Sequence, residues 1–124
     1  RHRLAFRRVL GLQEIKSDPF LLLKEGHCFR DSTIQACRRS RMEPNVVFES
    51  GQFSSILAMV SAGMGVSVVP AMAVEKHHGC KFIRIRDERS SRRVGLVQLK
   101  GHFPTRAHRA LVEHFRRSQG PASG

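Results

Sequence analysis

The chain contains no tryptophan and no tyrosine, and it sets only 10 acidic residues against 22 lysines and arginines in 124 residues. Tyrosine and tryptophan commonly stack on bases, and their absence weakens a nucleic-acid interface as the reading of this charge. The arginines are scattered through every segment and form no dense basic run. The excess of positive charge therefore reads as a background that aids solubility and weak association with polyanions. No apolar run approaches the ~20 residues that a membrane helix requires. The opening stretch RHRLAFRRVLG has neither the continuous apolar core nor the small-residue cleavage site of a signal peptide. A chain that starts with Arg in place of Met is expected to be a segment of something longer, and its expected location is cytoplasmic. Cysteine is scarce: three residues, an odd number, with no CxxC pair. Without a secretion signal, that count argues against a structural disulfide framework.

What remains is 40% hydrophobic and 26% charged, which suits one folded domain. DPFLLL (18–23) reads as a buried strand opened by Pro and followed by the turn KEGH. RDSTIQACRRSR (30–41) predicts a short amphipathic helix around Ile34, Ala36 and Cys37, with basic residues at its C-terminus and Pro44 beyond it. NVVFES (45–50) predicts a second strand. GQFSSILAMVSAGMG (51–65) predicts a helix with Phe53, Ile56, Leu57, Val60 and Met64 on one stripe, closed by Gly63 and Gly65. VSVVP (66–70) and the alternating KFIRIR (81–86) predict further strands, the latter at an edge. A strand over 92–99, a helix over 105–117 and a disordered tail SQGPASG complete the reading. Alternation of strands and helices predicts an α/β fold with a parallel or mixed sheet.

The chemistry-bearing stretch is EGHCFRDSTIQAC (25–37), in which Cys28 and Cys37 stand nine positions apart. A cysteine at a helix N-terminus meets the positive end of the helix dipole, which favours the thiolate that attacks peroxide, and His27 and Arg30 flank it. A small buried cysteine beside a strand would look the same. If residues 28–37 are all helical, nine steps separate the two Cα atoms by about 13 Å. A disulfide requires roughly 7 Å or less. The pair could then join only by unwinding or shifting that segment. His27, Cys28, Cys37, His77, His78 and Cys80 are also metal-ligand types, but their spacing matches no zinc motif, so no metal and no cofactor is expected. Cys80 and the His77–His78 pair read as loop residues without a role.

The strings FLLLKEGHCFRDSTIQAC, FESGQFSSILAMVSAGMGVSVVPAMAV and RRVGLVQLKG together resemble the regulatory domain of LysR-type transcriptional regulators, over roughly residues 1–118. GHCFRD with a second cysteine nine positions on resembles the peroxide-sensing OxyR branch, whose motif usually has Leu where Phe29 stands. This resemblance implies a periplasmic-binding-protein-like domain of two α/β lobes. Residues 1–16 would be the crossover from lobe one, 17–87 lobe two with the redox motif, 88–118 the return strand and helix, and 119–124 a tail. It further implies that Cys28 is the peroxidatic thiol and Cys37 the resolving thiol, with His27, Arg30, Asp31 and Arg92 shaping a peroxide pocket.

The implied partners are a second copy of the chain in a dimer or tetramer, DNA through an N-terminal winged helix absent from this sequence, RNA polymerase, and a thiol reductant such as glutaredoxin. No membrane is implied. A LysR-type domain that binds a small organic effector without redox chemistry would instead use Ser50, Gln52 and Ser54, where a helix N-terminus suits a carboxylate. A thiol peroxidase would share the cysteine chemistry, but the resemblance points to a sensor and not to an enzyme. The face Ala107, Leu111 and Phe115 of the last helix is expected to turn toward a core only partly contained in this segment.

Overall fold

The computed structural model describes residues 2–74, 79–87, 89, 97, 99–101 and 103–118. The chain divides into two compact units, Arg1–Ser91 and Arg92–Gly124. In the first unit, β1 (Val9–Leu10) leads into a 3-10 turn over Leu12–Ile15. Then follow β2 (Pro19–Leu23), α1 (Cys28–Arg39), β3 (Asn45–Ser50), α2 (Phe53–Ser61), a second 3-10 turn at Ala71–Ala73, and β4 (Arg84–Ile85). The second unit carries α3 (Arg106–Ser118).

β2 organises the first unit because it has neighbours on both sides. It pairs in parallel with β3, Pro19 opposite Asn45 and Leu23 opposite Ser50, with a register shift between Phe20 and Leu21. On its other side Phe20 bridges in parallel to Val66. A strand covered on both faces reads as a continuous apolar run, which is why FLLL does not alternate. Its side chains still divide by the two-residue period. Phe20 and Leu22 join Leu4, Leu10, Leu12, Ile15, Ala36, Cys37 and Met42 in one core, while Leu21 and Leu23 join Phe29 and Ile56 in the other. Each such buried side chain contributes about 1.5–3 kcal/mol.

The predicted third strand is corrected. Only Val66 of VSVVP forms a ladder contact, donating to the carbonyl of Pro19 (2.9 Å) and accepting from the amide of Leu21 (2.8 Å). β-Branched runs report burial, and a strand also requires a partner along its length. KFIRIR likewise narrows to β4, which pairs in parallel with β1. Helix α1 starts at Cys28, two residues before the 30–41 stretch, which puts this cysteine at the helix N-terminus as expected, and α2 ends at Ser61, so Met64 lies beyond it and is exposed. Most of the expected 92–99 strand lies outside the described residues. Within its own unit α3 leaves Leu111 and Phe115 exposed.

Helix α1 ends in a Schellman motif. The Met42 amide donates to the Cys37 carbonyl and the Arg41 amide to Arg38, both at 2.9 Å, with Arg41 in the left-handed region at φ 51°. Glycine normally holds that position because a Cβ is strained there. Arg41→Gly is therefore expected to raise stability by about 0.5–1 kcal/mol. Urea denaturation checks this through a higher midpoint at unchanged m-value.

Candidate functional site

Helices α1 and α2 both begin just past the C-terminal ends of the adjacent parallel strands β2 and β3. In open α/β sheets this edge is where ligands and reactive groups collect. The edge is closed by the Lys24 amide, which donates to the Ser50 carbonyl at 3.0 Å.

His27 is the N-cap of α1. Its Nδ1 accepts from the Phe29 amide at 3.3 Å, so that nitrogen carries no proton in this arrangement. The same ring meets Phe53 of α2 edge-on at 5.5 Å, and Phe53 meets Phe29 at 5.7 Å. These contacts bring the two helix N-termini together. Cys28 is the first residue of α1 and is exposed. Arg30 donates from Nη1 to the Leu23 carbonyl (2.7 Å) and to Glu49 of β3 (2.6 Å), which ties the first turn of α1 to both strand ends. Asp31 is exposed in that turn, where a carboxylate suits the dipole.

Around the N-terminus of α2, the Ser50 hydroxyl accepts from the Gln52 amide at 3.3 Å, Gln52 is the N-cap, and Ser54 is exposed in the first turn. Thus His27, Cys28, Arg30 and Asp31 stand at one helix start, and Ser50, Gln52 and Ser54 at its neighbour. Arg92 lies outside the described residues. Phe53 and Glu49, which position this edge, were not singled out from the sequence. The sequence pattern places Phe53 only on a core stripe.

Cys37 stands at the far end of α1, in its last turn, with no exposed surface. With the helix continuous from Cys28 to Arg39, the two Cα atoms are about 13 Å apart. None of the three cysteines is in a disulfide. Burial pushes the Cys37 thiol up from its ordinary range, opposed in part by a backbone hydrogen bond. Burial also raises Cys80, whose Sγ donates to the Leu57 carbonyl at 3.4 Å. A folded-state thiol that holds its proton longer than the unfolded one makes stability fall as pH rises through and above about 8.5. Replacing Cys37 with Ala is expected to flatten that alkaline loss. In native protein iodoacetamide should label Cys28 first, with Cys37 reacting only as the helix opens. Mass spectrometry of a labelling time course reads both rates, and equal rates would contradict the burial of Cys37.

Among the described residues, no three His, Cys, Asp or Glu side chains cluster closely enough to hold a metal ion. His77 and His78 lie outside those residues. No helix among them is long and apolar enough to cross a membrane.

Comparison with known proteins places this geometry in a family. Residues 1–120 match the LysR substrate binding domain. The chain is 29% identical over 102 residues to the HTH-type transcriptional regulator YybE of Bacillus subtilis, covering 82% of this chain and 35% of that protein. It is 26% identical over 118 residues to the DNA-binding transcriptional dual regulator OxyR of Escherichia coli, covering 93% of this chain and 39% of that one. Among solved structures, HinK, a LysR family transcriptional regulator from Pseudomonas aeruginosa, superposes with a TM-score of 0.72 at 21% identity, over 96% of this chain and 42% of HinK. The chain spans less than two-fifths of the length of these two curated relatives. The parallel β2–β3 pair, the helices rising from its C-terminal edge and the near-complete family match give one conclusion: the chain belongs to the LysR substrate binding domain family, with its periplasmic-binding-protein-like α/β fold.

Proposed function

We propose that this domain is the redox-sensing part of a LysR-type transcriptional activator, with Cys28 as the peroxidatic thiol and Cys37 as the resolving one. The observation that carries the reading is the placement of an exposed cysteine at the first position of α1 and a fully buried one in the last turn of the same helix. The Cys28 thiolate attacks one oxygen of hydrogen peroxide, the O–O bond breaks, and hydroxide leaves as water. The resulting sulfenic acid is then attacked by the Cys37 sulfur. An S–S bond forms, and the sulfenic oxygen departs with the Cys37 proton as a second water. Two thiols are oxidised by two electrons and one peroxide is reduced. Because the helix keeps the sulfurs apart, the bridge stores a change of shape, which is what a regulator requires.

In this reading the domain works in a dimer or tetramer, with DNA held by a winged helix elsewhere in the protein, RNA polymerase as the downstream contact and a thiol reductant such as glutaredoxin resetting the bridge. The peroxide pocket would be completed by His27, Arg30, Asp31 and Arg92. The segments 1–16, 17–87 and 88–118 would be the crossover, the second lobe and the return to the first lobe.

Trapping tests the peroxidatic assignment. After a brief peroxide pulse on Cys37→Ser, dimedone should mark Cys28 as a sulfenic acid. A mark on Cys80 with Cys28 unmodified would overturn it.

A second reading has an observation of its own. The exposed start of α2, with Ser50, Gln52 and Ser54 beside the strand ends, is built as a carboxylate site would be. In this reading there is no redox chemistry; a small organic acid bound there would raise Tm in thermal denaturation, and Ser54→Ala would remove the shift.

A further inference from the structure

The C-terminus of α1 is held by more than its own motif. The side-chain amide of Gln13, in the 3-10 turn after β1, donates to the carbonyl of Ser40 and to that of Arg41 (2.7 Å). On another side Arg39 pairs with Asp87 at 3.2 Å. Asp87 follows β4 closely and precedes the boundary between the two compact units. β1 and β4 are hydrogen-bonded to each other. The C-terminal end of α1 is therefore tied twice to segments that flank one parallel ribbon, Gln13 after β1 and Asp87 after β4, and its last turn contains Cys37, whose carbonyl accepts the Met42 amide.

The N-terminal end of α1 is fastened separately, by Arg30 to Leu23 and Glu49 and by burial of Phe29. If that N-terminal end stays fastened, the buried cysteine is the one that travels to an exposed sulfenic acid. Its departure breaks the Met42–Cys37 bond and moves the carbonyls of Ser40 and Arg41 away from Gln13.

We propose that this C-terminal cap is a latch, with Gln13 and the Arg39–Asp87 pair holding it closed in the thiol form and releasing the β1–β4 ribbon when the Cys28–Cys37 disulfide forms. The latch rests on the redox reading above and adds its output. The peroxide signal leaves the helix at its C-terminus and reaches the β1–β4 ribbon. Gln13, Arg39 and Asp87 act as positioning residues.

A contact made only in the thiol state disfavours the disulfide, so removing it must shift the equilibrium toward the bridge. Thiol–disulfide equilibria of the full chain, measured in glutathione buffers, should move toward the disulfide by about two- to five-fold in Gln13→Ala and in Asp87→Asn. Glu113→Gln, which removes the Arg117–Glu113 pair of α3, should leave the equilibrium unchanged. Hydrogen exchange gives a readout that mere destabilisation would not reproduce. In oxidised wild type the amides of Arg84 and Arg86, which donate to Arg8 and Leu10, should lose protection while those of Leu21 and Lys24, which donate to Val66 and Ser50, keep theirs. Reduced Gln13→Ala should show the same selective loss in part. A Cys28–Cys37 disulfide that forms with wild-type equilibrium in both variants, or that leaves the ribbon protected, overturns the latch and spares the redox reading. Absence of that disulfide in oxidised wild type overturns both.

Discussion

One equivalent of hydrogen peroxide is expected to erase the amide protection of the last two turns of α1, with exchange at Thr33 through Cys37 accelerating by about 100-fold or more, the equivalent of about 3 kcal/mol of local stability. The size follows from geometry. Cysteines at the two ends of a twelve-residue helix sit about 13 Å apart, and a bridge tolerates no more than about 7 Å. No rotamer change closes that gap, so residues between the cysteines must leave the helical ladder. Thr33, buried and donating to the Phe29 carbonyl at 3.0 Å, should lose its place among the first. Hydrogen exchange with mass detection, before and after oxidation, measures this directly. Cys37→Ser should show no such acceleration, because it cannot bridge. Protection retained in the oxidised wild type would mean that the bridge forms without unwinding.

The second large effect concerns the N-terminal end of β2, opposite the site. Gly65→Ala is expected to cost about 2–4 kcal/mol and to lower Tm by about 10 to 25 °C. A Cβ at this position would lie 2.9 Å from the carbonyl carbon of Pro19 and closer still to its oxygen, which is backbone and cannot swing aside. The strain falls where Val66 and β2 exchange their two hydrogen bonds, so those bonds are lost as well. Calorimetry gives the shift. Ala62→Gly, in the C-cap of α2 beside no such contact, is the control and should change Tm by only a few degrees.

The elements that could be read from sequence are those whose cause is local. Phe20 to Leu23 read as a buried strand because four consecutive apolar side chains require cover on both faces. Cys28 read as a helix start because a polar turn precedes it. What the pattern could not show depends on partners far along the chain. VSVVP has the residues of a strand, yet only Val66 forms a backbone bridge to β2, because pairing is decided by neighbours. Arg30 was legible as a cation beside Cys28, but its contact with Glu49, 19 residues on, follows from the parallel register. Gln13 is polar and unremarkable in the sequence. Its contact with the end of α1 spans 27 residues and is set by how the turn after β1 folds back. The cysteine pair was legible by spacing, whereas the contrast between an exposed Cys28 and a fully buried Cys37 required the core around Phe20 and Met42.

The most direct test of the redox reading is peptide mapping of the reduced wild-type chain after treatment with stoichiometric hydrogen peroxide. The account predicts one intramolecular crosslink joining the peptides that carry Cys28 and Cys37, with Cys80 recovered as a thiol. A main crosslink through Cys80, or peroxide consumption with no bridge between Cys28 and Cys37, would contradict it.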